Sequence, residues 1–428
     1  VNVEDMIFIS VDDHVVEPPD MFEGRLPSKY ADMAPKVVKT DKGDDVWTYN
    51  GVTIPNVGLN AVAGRPREEY GIEPTSFDEM RRGCFDIRER VKDMSAGGVL
   101  GSICFPSFPS FSGRLFAGTD DKDLALAVTQ AYNDWHIEGW CGTYPDRFIP
   151  MALPILWDPE LCAAEIRRVA AKGCHTMTFT ENPAELGYPS FHDPHWDPMW
   201  RALVDEGTIV NIHLGSSGKL AVTAPDAPMD VMITLQPMNI CMAAADLVWS
   251  RVFKEYPTIK VALSEGGTGW IPYFLDRLDR TYDMHHLWTG QDFGKDLPSD
   301  IFRRHILTCF IADPVGVNLR NDIGIDNICW EQDYPHSDSS WPEAPEEFAA
   351  VCEKYAVPDD DINKMTHENA MHWYRFDPYK IRPREKCTVG ALRAEVAGHD
   401  VSERSYLTGR HEKTAGGNLG DFAKRATA

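Results

Sequence analysis

Met6-Ile7-Phe8-Ile9-Ser10-Val11-Asp12-Asp13-His14 opens as a short apolar run and ends on a carboxylate and an imidazole two positions apart. In extended backbone, residues two apart share a face, so Asp12 and His14 point together while Asp13 points away. Apolar runs of this kind recur along the chain, at 101–106, 148–155, 175–180, 208–214, 258–264, 306–311 and 327–331. Four of them carry a ligand-type residue in or just after the run: Glu181, His213, Glu265 and Asp333. Taken alone, each has an ordinary explanation, such as a solvated strand end, a core histidine or a carboxylate paired with a base. Recurrence at several strand ends is what points to a shared site.

Near-continuous apolar strands are those covered on both faces, and amphipathic segments separate them. Asp158-Pro159 supplies a helix N-cap with proline in the first turn, and the segment stops at Gly173. A second helix is expected over 197–206 before Gly207, a long one over 230–256, and another over 269–287. The spacing therefore predicts an α/β chain of eight strands with eight crossovers, a (β/α)8 TIM barrel over residues 1–376. Residues 17–75, rich in Pro, Gly and charge, read as an insertion after the first strand that forms a lid or substrate wall. Residues 377–428 are polar and read as a C-terminal tail on the surface or around a neighbouring subunit.

The formal net charge of -24 repels a phosphate backbone, which argues against nucleic acid. Ten cysteines stand singly with no C-x-x-C pair, as in a reducing cytoplasm. With no basic leader region at the start given and no 18 uninterrupted apolar residues, neither secretion nor a membrane span is expected. Phe105, Phe108, Phe111, Trp270, Trp330 and Trp341 fall around the expected loops, which suits an apolar or aromatic small-molecule substrate, although core packing is the default for each. A homodimer is the default assembly.

Glu265 follows Val261-Ala262-Leu263-Ser264 and precedes Gly266-Gly267, placing an acid at the end of a buried strand beside backbone that a ligand can approach closely. A buried carboxylate without a partner costs several kcal/mol, which a metal or a base must offset. Asp333, in Glu331-Gln332-Asp333-Tyr334-Pro335-His336, has the same placement on the last strand. His336 is a candidate substrate-binding or acid group. His192, His195 and the pair His285-His286 read as mouth or surface residues, and His175 as structural.

In combination, Asp12-Asp13-His14, the His213 strand, Leu263 to Trp270 and Asp333 to His336 make the chain resemble the amidohydrolase superfamily, in the branch related to amino-carboxymuconate-semialdehyde decarboxylase. The resemblance implies that Asp12, His14, His213 and Asp333 are metal ligands, with Asp333 also able to take a proton from metal-bound water. Two positions depart from that pattern. Asp12 replaces the usual first histidine, and Glu265 stands where the decarboxylases carry a catalytic histidine. Glu181 lies where binuclear members place a bridging ligand, and with Glu265 it would complete a second site. Six such ligands suit one or two divalent ions per chain, Zn, Fe or Mn. The expectation drawn is a metal-dependent hydrolase attacking an amide, ester or thioester carbonyl, with Asp333 as base and Glu265 and His336 in support. The alternative is nonoxidative decarboxylation of an aromatic or unsaturated acid. A metal-free binding protein on a decayed barrel is the rival of another class.

Overall fold

The computed structural model describes residues 2–408. The opening apolar run forms β1 (Phe8–Val15), buried along its whole length. A small antiparallel sheet follows, made of β2 (Lys36–Lys39), β3 (Asp45–Tyr49) and β4 (Val52–Ile54). Then come β5 (Val99–Pro106), β6 (Phe148–Ile149), β7 (Thr176–Phe179), β8 (Ile209–His213), β9 (Val261–Ser264), β10 (Ile306–Phe310) and β11 (Ile328–Trp330), with helices between them.

All pairings outside the small sheet are parallel, in two sheets ordered β1-β5-β6 and β7-β8-β9-β10-β11. At one seam Ala152 bridges to Met177, its N–H donating to Thr176 O at 3.0 Å and its carbonyl accepting from Thr178 N at 3.0 Å. At the other, the Asp333 N–H donates to Asp12 O at 2.8 Å and the His14 N–H to Tyr334 O at 2.7 Å. Each of the eight expected runs overlaps one of these parallel strands, with the first extending on to Val15 and the second beginning at Val99. The run at 148–155 yields only a two-residue strand and the bridge at Ala152, because Pro150 and Pro154 have no N–H to give a ladder.

Asp158 caps the helix Pro159–Ala170, its carboxylate accepting from Glu160 N at 2.9 Å and Leu161 N at 3.0 Å. The helix Asp197–Glu206 ends at Gly207, whose φ of 60° lies in the left-handed region open to glycine. The long helix expected over 230–256 is instead three pieces, Met229–Leu235, Met238–Trp249 and Val252–Glu255. Pro237, which cannot donate within a helix, marks the first break. Residues 229–249 reach a mean hydropathy of 1.4 and are long enough to cross a membrane by length and composition, yet Ile240, Ala243, Ala244, Leu247 and Val248 pack into the core.

The segment between β1 and β5 lies against the loop after β11: the N–H groups of Val62 and Ala63 share Pro335 O at 2.9 and 3.0 Å, and Asn60 Nδ2 donates to Ser337 Oγ at 3.1 Å. Beyond residue 376 the described chain folds back on itself. Val389 and Leu392 of the helix Val389–Glu395 are buried, and Val389 N donates to Met6 O at 2.8 Å. Further on, His399 Nε2 meets Asp93 at 2.7 Å and Arg404 N reaches Gly64 O at 2.9 Å. The remainder of the expected tail, 409–428, lies outside the described residues.

Candidate metal centre

β1 presents the first two side chains. Its register shifts between Ser10 and Asp13, and Asp13 turns outward to accept from Ser10 Oγ at 3.0 Å and Tyr334 N at 3.0 Å, as well as from Ser102 Oγ. Asp12 and His14 face inward together, as the alternation requires. β8 ends on His213, and the turns after β9 and β11 carry Glu265 and Asp333. Both turn residues adopt left-handed backbone, with φ of 58° and 57°. A Cβ on Gly266 would fall 2.5 Å from Ile240 Cγ2, so glycine is what lets the turn after Glu265 pass over that side chain.

The five side chains converge. His14 Nε2 lies 3.1 Å from Asp333 Oδ1, 3.5 Å from Asp12 Oδ1 and 3.2 Å from His213 Nε2. His213 Nε2 is also 3.3 Å from Asp12 Oδ2 and 3.0 Å from Glu265 Oε2. One imidazole nitrogen carries at most one proton, so it cannot donate to three neighbours. Both carboxylate oxygens of Asp12 and both of Asp333 are buried without a hydrogen-bond donor. Orphaned carboxylate oxygens facing imidazole lone pairs are what a cation among them would satisfy. Asp12, His14, His213 and Glu265 offer four atoms within 4.8 Å of one another, and His14, Asp333 and His336 a second group of three. The donor set, two nitrogens with carboxylate oxygens, fits a hard or borderline divalent ion.

Electrostatics without an ion are strained in the direction a cation would relieve. Burial, then the charges of Glu331 and Glu265, pushes Asp12 well above the ordinary carboxylate range. Asp333 is raised well above it too, by burial and then by Glu265 and Asp12. His14 is held well below the usual imidazole range, first by burial and then by His336 and His213.

Two residues enter this site beyond the expected ligand set. His336 stacks on His14 with ring centres 3.7 Å apart and brings Nδ1 to 2.9 Å from Asp333 Oδ1. Burial, then the charges of His213 and Arg90, pushes it down to about 3, so it is neutral. Glu331 was read only as a strand residue, yet its buried carboxylate accepts the Glu265 N–H at 3.1 and 3.3 Å. Its position two before Asp333 was the available signal.

Glu181 does not join. Ser217 Oγ at 2.6 Å, Gly215 N at 3.1 Å and Ser217 N at 3.4 Å occupy its oxygens, and it belongs to neither convergent group. The loop after β8 satisfies this acid, so the arrangement gives no support to the second ion site expected of it. Of the six aromatic side chains expected near the mouth, Phe105 and Phe111 lie against the imidazoles, at 4.9 and 4.2 Å from His213. Phe108 stacks on Trp47, Trp330 packs edge-on to Phe8, Trp270 meets Phe274 and Trp341 meets Tyr334, which is packing. His192 pairs with Asp246, His175 contacts Glu206 O, and His285 and His286 contact Trp288 and Tyr282 on one helix. His195 packs beside Trp196.

The family model described as amidohydrolase matches residues 30–376. A gamma-resorcylate decarboxylase of Rhodococcus jostii is 22% identical over 318 residues, 71% of this chain and 92% of that protein. Among solved structures, an amidohydrolase of Mycobacterium avium subsp. paratuberculosis superposes with a TM-score of 0.67 at 22% identity, over 86% of this chain and 99% of the other. A 5-carboxyvanillate decarboxylase of Novosphingobium aromaticivorans, with bound manganese and 3-methoxy-4-hydroxy-5-nitrobenzoic acid, superposes with a TM-score of 0.59 at 18% identity, over 88% and 99%.

Proposed function

We propose, from the premise that the chain belongs to the amidohydrolase family, that it is a metal-dependent, nonoxidative decarboxylase of an aromatic carboxylic acid. The observation that carries this reading is the buried convergence of Asp12, His14, His213 and Glu265 beside Asp333, with Glu181 held elsewhere by Ser217. Such a set suffices for one divalent ion. The two named decarboxylases, one of them holding manganese and a substituted benzoic acid, favour carbon dioxide release over the hydrolysis expected from the ligand types alone.

Asp12, His14, His213 and Glu265 would hold the ion, and Asp333 the proton to be transferred. A bound divalent ion would supply Lewis-acid charge stabilisation for a substrate carboxylate and its neighbouring oxygen. Phe105 and Phe111, against the His213 ring, would give a planar substrate ring apolar surface to lie on. When the bond between ring carbon and carboxyl carbon breaks, its electron pair stays on the ring carbon. The Asp333 carboxylate takes up a proton from solvent by way of His336, 2.9 Å away, and gives it to that carbon.

The same reading takes the two parallel sheets as one closed eight-stranded barrel over 1–376, supported by the backbone bonds at Ala152 and at Asp12 to Tyr334. Residues 17–75 then wall the mouth of the site, and the described residues from 377 onward form a tail against the body. The test is a panel of hydroxybenzoic acids with carbon dioxide capture, run before chelation, after it, and after manganese return. Release that is lost and restored is expected. Carbon dioxide-free cleavage of an amide, ester or thioester panel would establish the hydrolase instead.

A further inference from the structure

A cleft of about 630 Å³ opens at the opposite ends of the strands from the metal centre. Lys260 immediately precedes β9, whose far end leads to Glu265, and Asn327 precedes β11, whose far end leads to Asp333. Five residues of strand place the two sites roughly 16 Å apart. Lys260, Arg303, Lys364 and Arg375 line the cleft against the acids Asp326 and Glu368, so its wall is two charges positive in a chain of net charge -24.

Such an acidic chain has carboxylates to spare, and its cations elsewhere are commonly paired with them. Here, among the described residues, only Lys364 has such a partner, Asp326 at 2.7 Å. Lys260 donates to the Arg304 carbonyl and lies 5.0 Å from the Trp373 ring centre. Arg303 spends two N–H groups on the carbonyls of Ile323 and Asp322, at 3.0 and 2.8 Å. Arg375 stands in left-handed backbone with φ of 52°, its guanidinium over Gly207. Burial and the neighbouring charge of Arg304 both lower the Lys260 pKa, as expected of a cation without a counter-ion.

The floor is built and fixed. Asn327 Nδ2 donates to the carbonyls of Arg303 and Ile306 at 2.6 and 2.8 Å, and Asn369 Nδ2 to those of Ile325 and Ile328 at 2.7 and 2.8 Å. Trp373 Nε1 donates to Asp326 O at 3.1 Å, which anchors the aromatic wall. Ordered walls reduce the entropy that a ligand must overcome on binding.

We infer that this cleft is a binding site for a compact polyanion carrying at least two negative charges, separate from the metal centre. Two guanidinium and two ammonium groups around one cavity attract phosphate or carboxylate oxygens, and the excess of two positive charges suits a ligand of at least that charge. A phosphate source and a tricarboxylate source share that chemistry, so both are probed.

The experiment is titration calorimetry on chelator-treated full-length protein, with inorganic pyrophosphate in one arm and citrate in the other. Chelation keeps both probes from engaging a metal. Saturable one-to-one binding is expected, weakened about tenfold or more in Lys260→Gln and again in Lys260→Gln with Lys364→Gln, and weakened by added salt. The lysines are chosen because Arg303 holds two backbone carbonyls where Lys260 holds one and Lys364 pairs only with a side chain. Asp333→Asn, at the other end of the strands, is expected to bind both probes as the unsubstituted protein does. Binding in one arm alone assigns the ligand to the phosphate or the carboxylate class. No saturable binding in either arm, binding indifferent to the lysine substitutions, or binding lost in Asp333→Asn would overturn the inference.

Discussion

Left-handed backbone costs a residue with a Cβ about 1–2 kcal/mol, and the protein accepts that cost at both Glu265 and Asp333, where φ is 58° and 57°. Both carboxylates enter the same cluster, so the strain falls at the proposed metal centre. Glu265→Gly should therefore melt higher than Glu265→Ala in metal-free protein, by the equivalent of about 1 kcal/mol, while both lose metal affinity equally. Calorimetry with manganese titration checks the pair. Asp333→Asn should act in opposite senses on two readouts. Carbon dioxide release should fall by about 10²–10⁴ with loss of the proton-transfer group. Metal-free melting temperature should rise, because the substitution removes an acid that burial first, and then Glu265 and Asp12, disfavour.

Strand ends position the site, and the segments packed on them keep it in place. Asp93, on the helix Ile87–Ala96, is buried and receives Arg81 at 2.7 Å, Tyr334 Oη at 2.6 Å and His399 at 2.7 Å, tying the turn that follows Asp333 to that helix and to the chain beyond 376. Asp93→Ala leaves Arg81 buried without its partner and should cost about 3–5 kcal/mol, read from urea unfolding. Glu181→Ala should leave metal content per chain unchanged, since that acid serves the 215–217 loop.

The strands were legible because short runs of Ile, Val and Phe between helical segments have few other structural uses, and strand parity alone aimed Asp12 and His14 inward. Glu181 was not legible: its oxygens are taken by a loop whose course depends on contacts the sequence does not display. Glu331 was missed because its position two before Asp333 was the one signal, and spacing does not say that its carboxylate holds a neighbouring strand's turn. The long helix expected over 230–256 runs through Pro237, where it breaks, and the tail expected on the surface buries Cys387, Val389 and Leu392.

At the scale of the molecule, burial fixes the acid limit. His136, His305 and His367 are all pushed down to about 4, chiefly by burial. The folded protein thus holds them neutral while the unfolded chain protonates near pH 6.5. Their contribution is fully present above that pH and is lost as pH falls from 6.5 towards 4, by about 3 kcal/mol for a fully buried group such as His136. His136→Gln should shrink the fall in stability across that window by a similar amount, and a pH series of urea midpoints shows it.

On the proposed function, a buried acid beside one ion site returns a proton to the carbon that loses a carboxylate. Turnover of a hydroxybenzoic acid in deuterium oxide, followed by proton NMR, tests it directly. One deuterium on the vacated ring carbon for each carbon dioxide released is the expected result. Cleavage that leaves every ring carbon unlabelled, with no carbon dioxide formed, would contradict it.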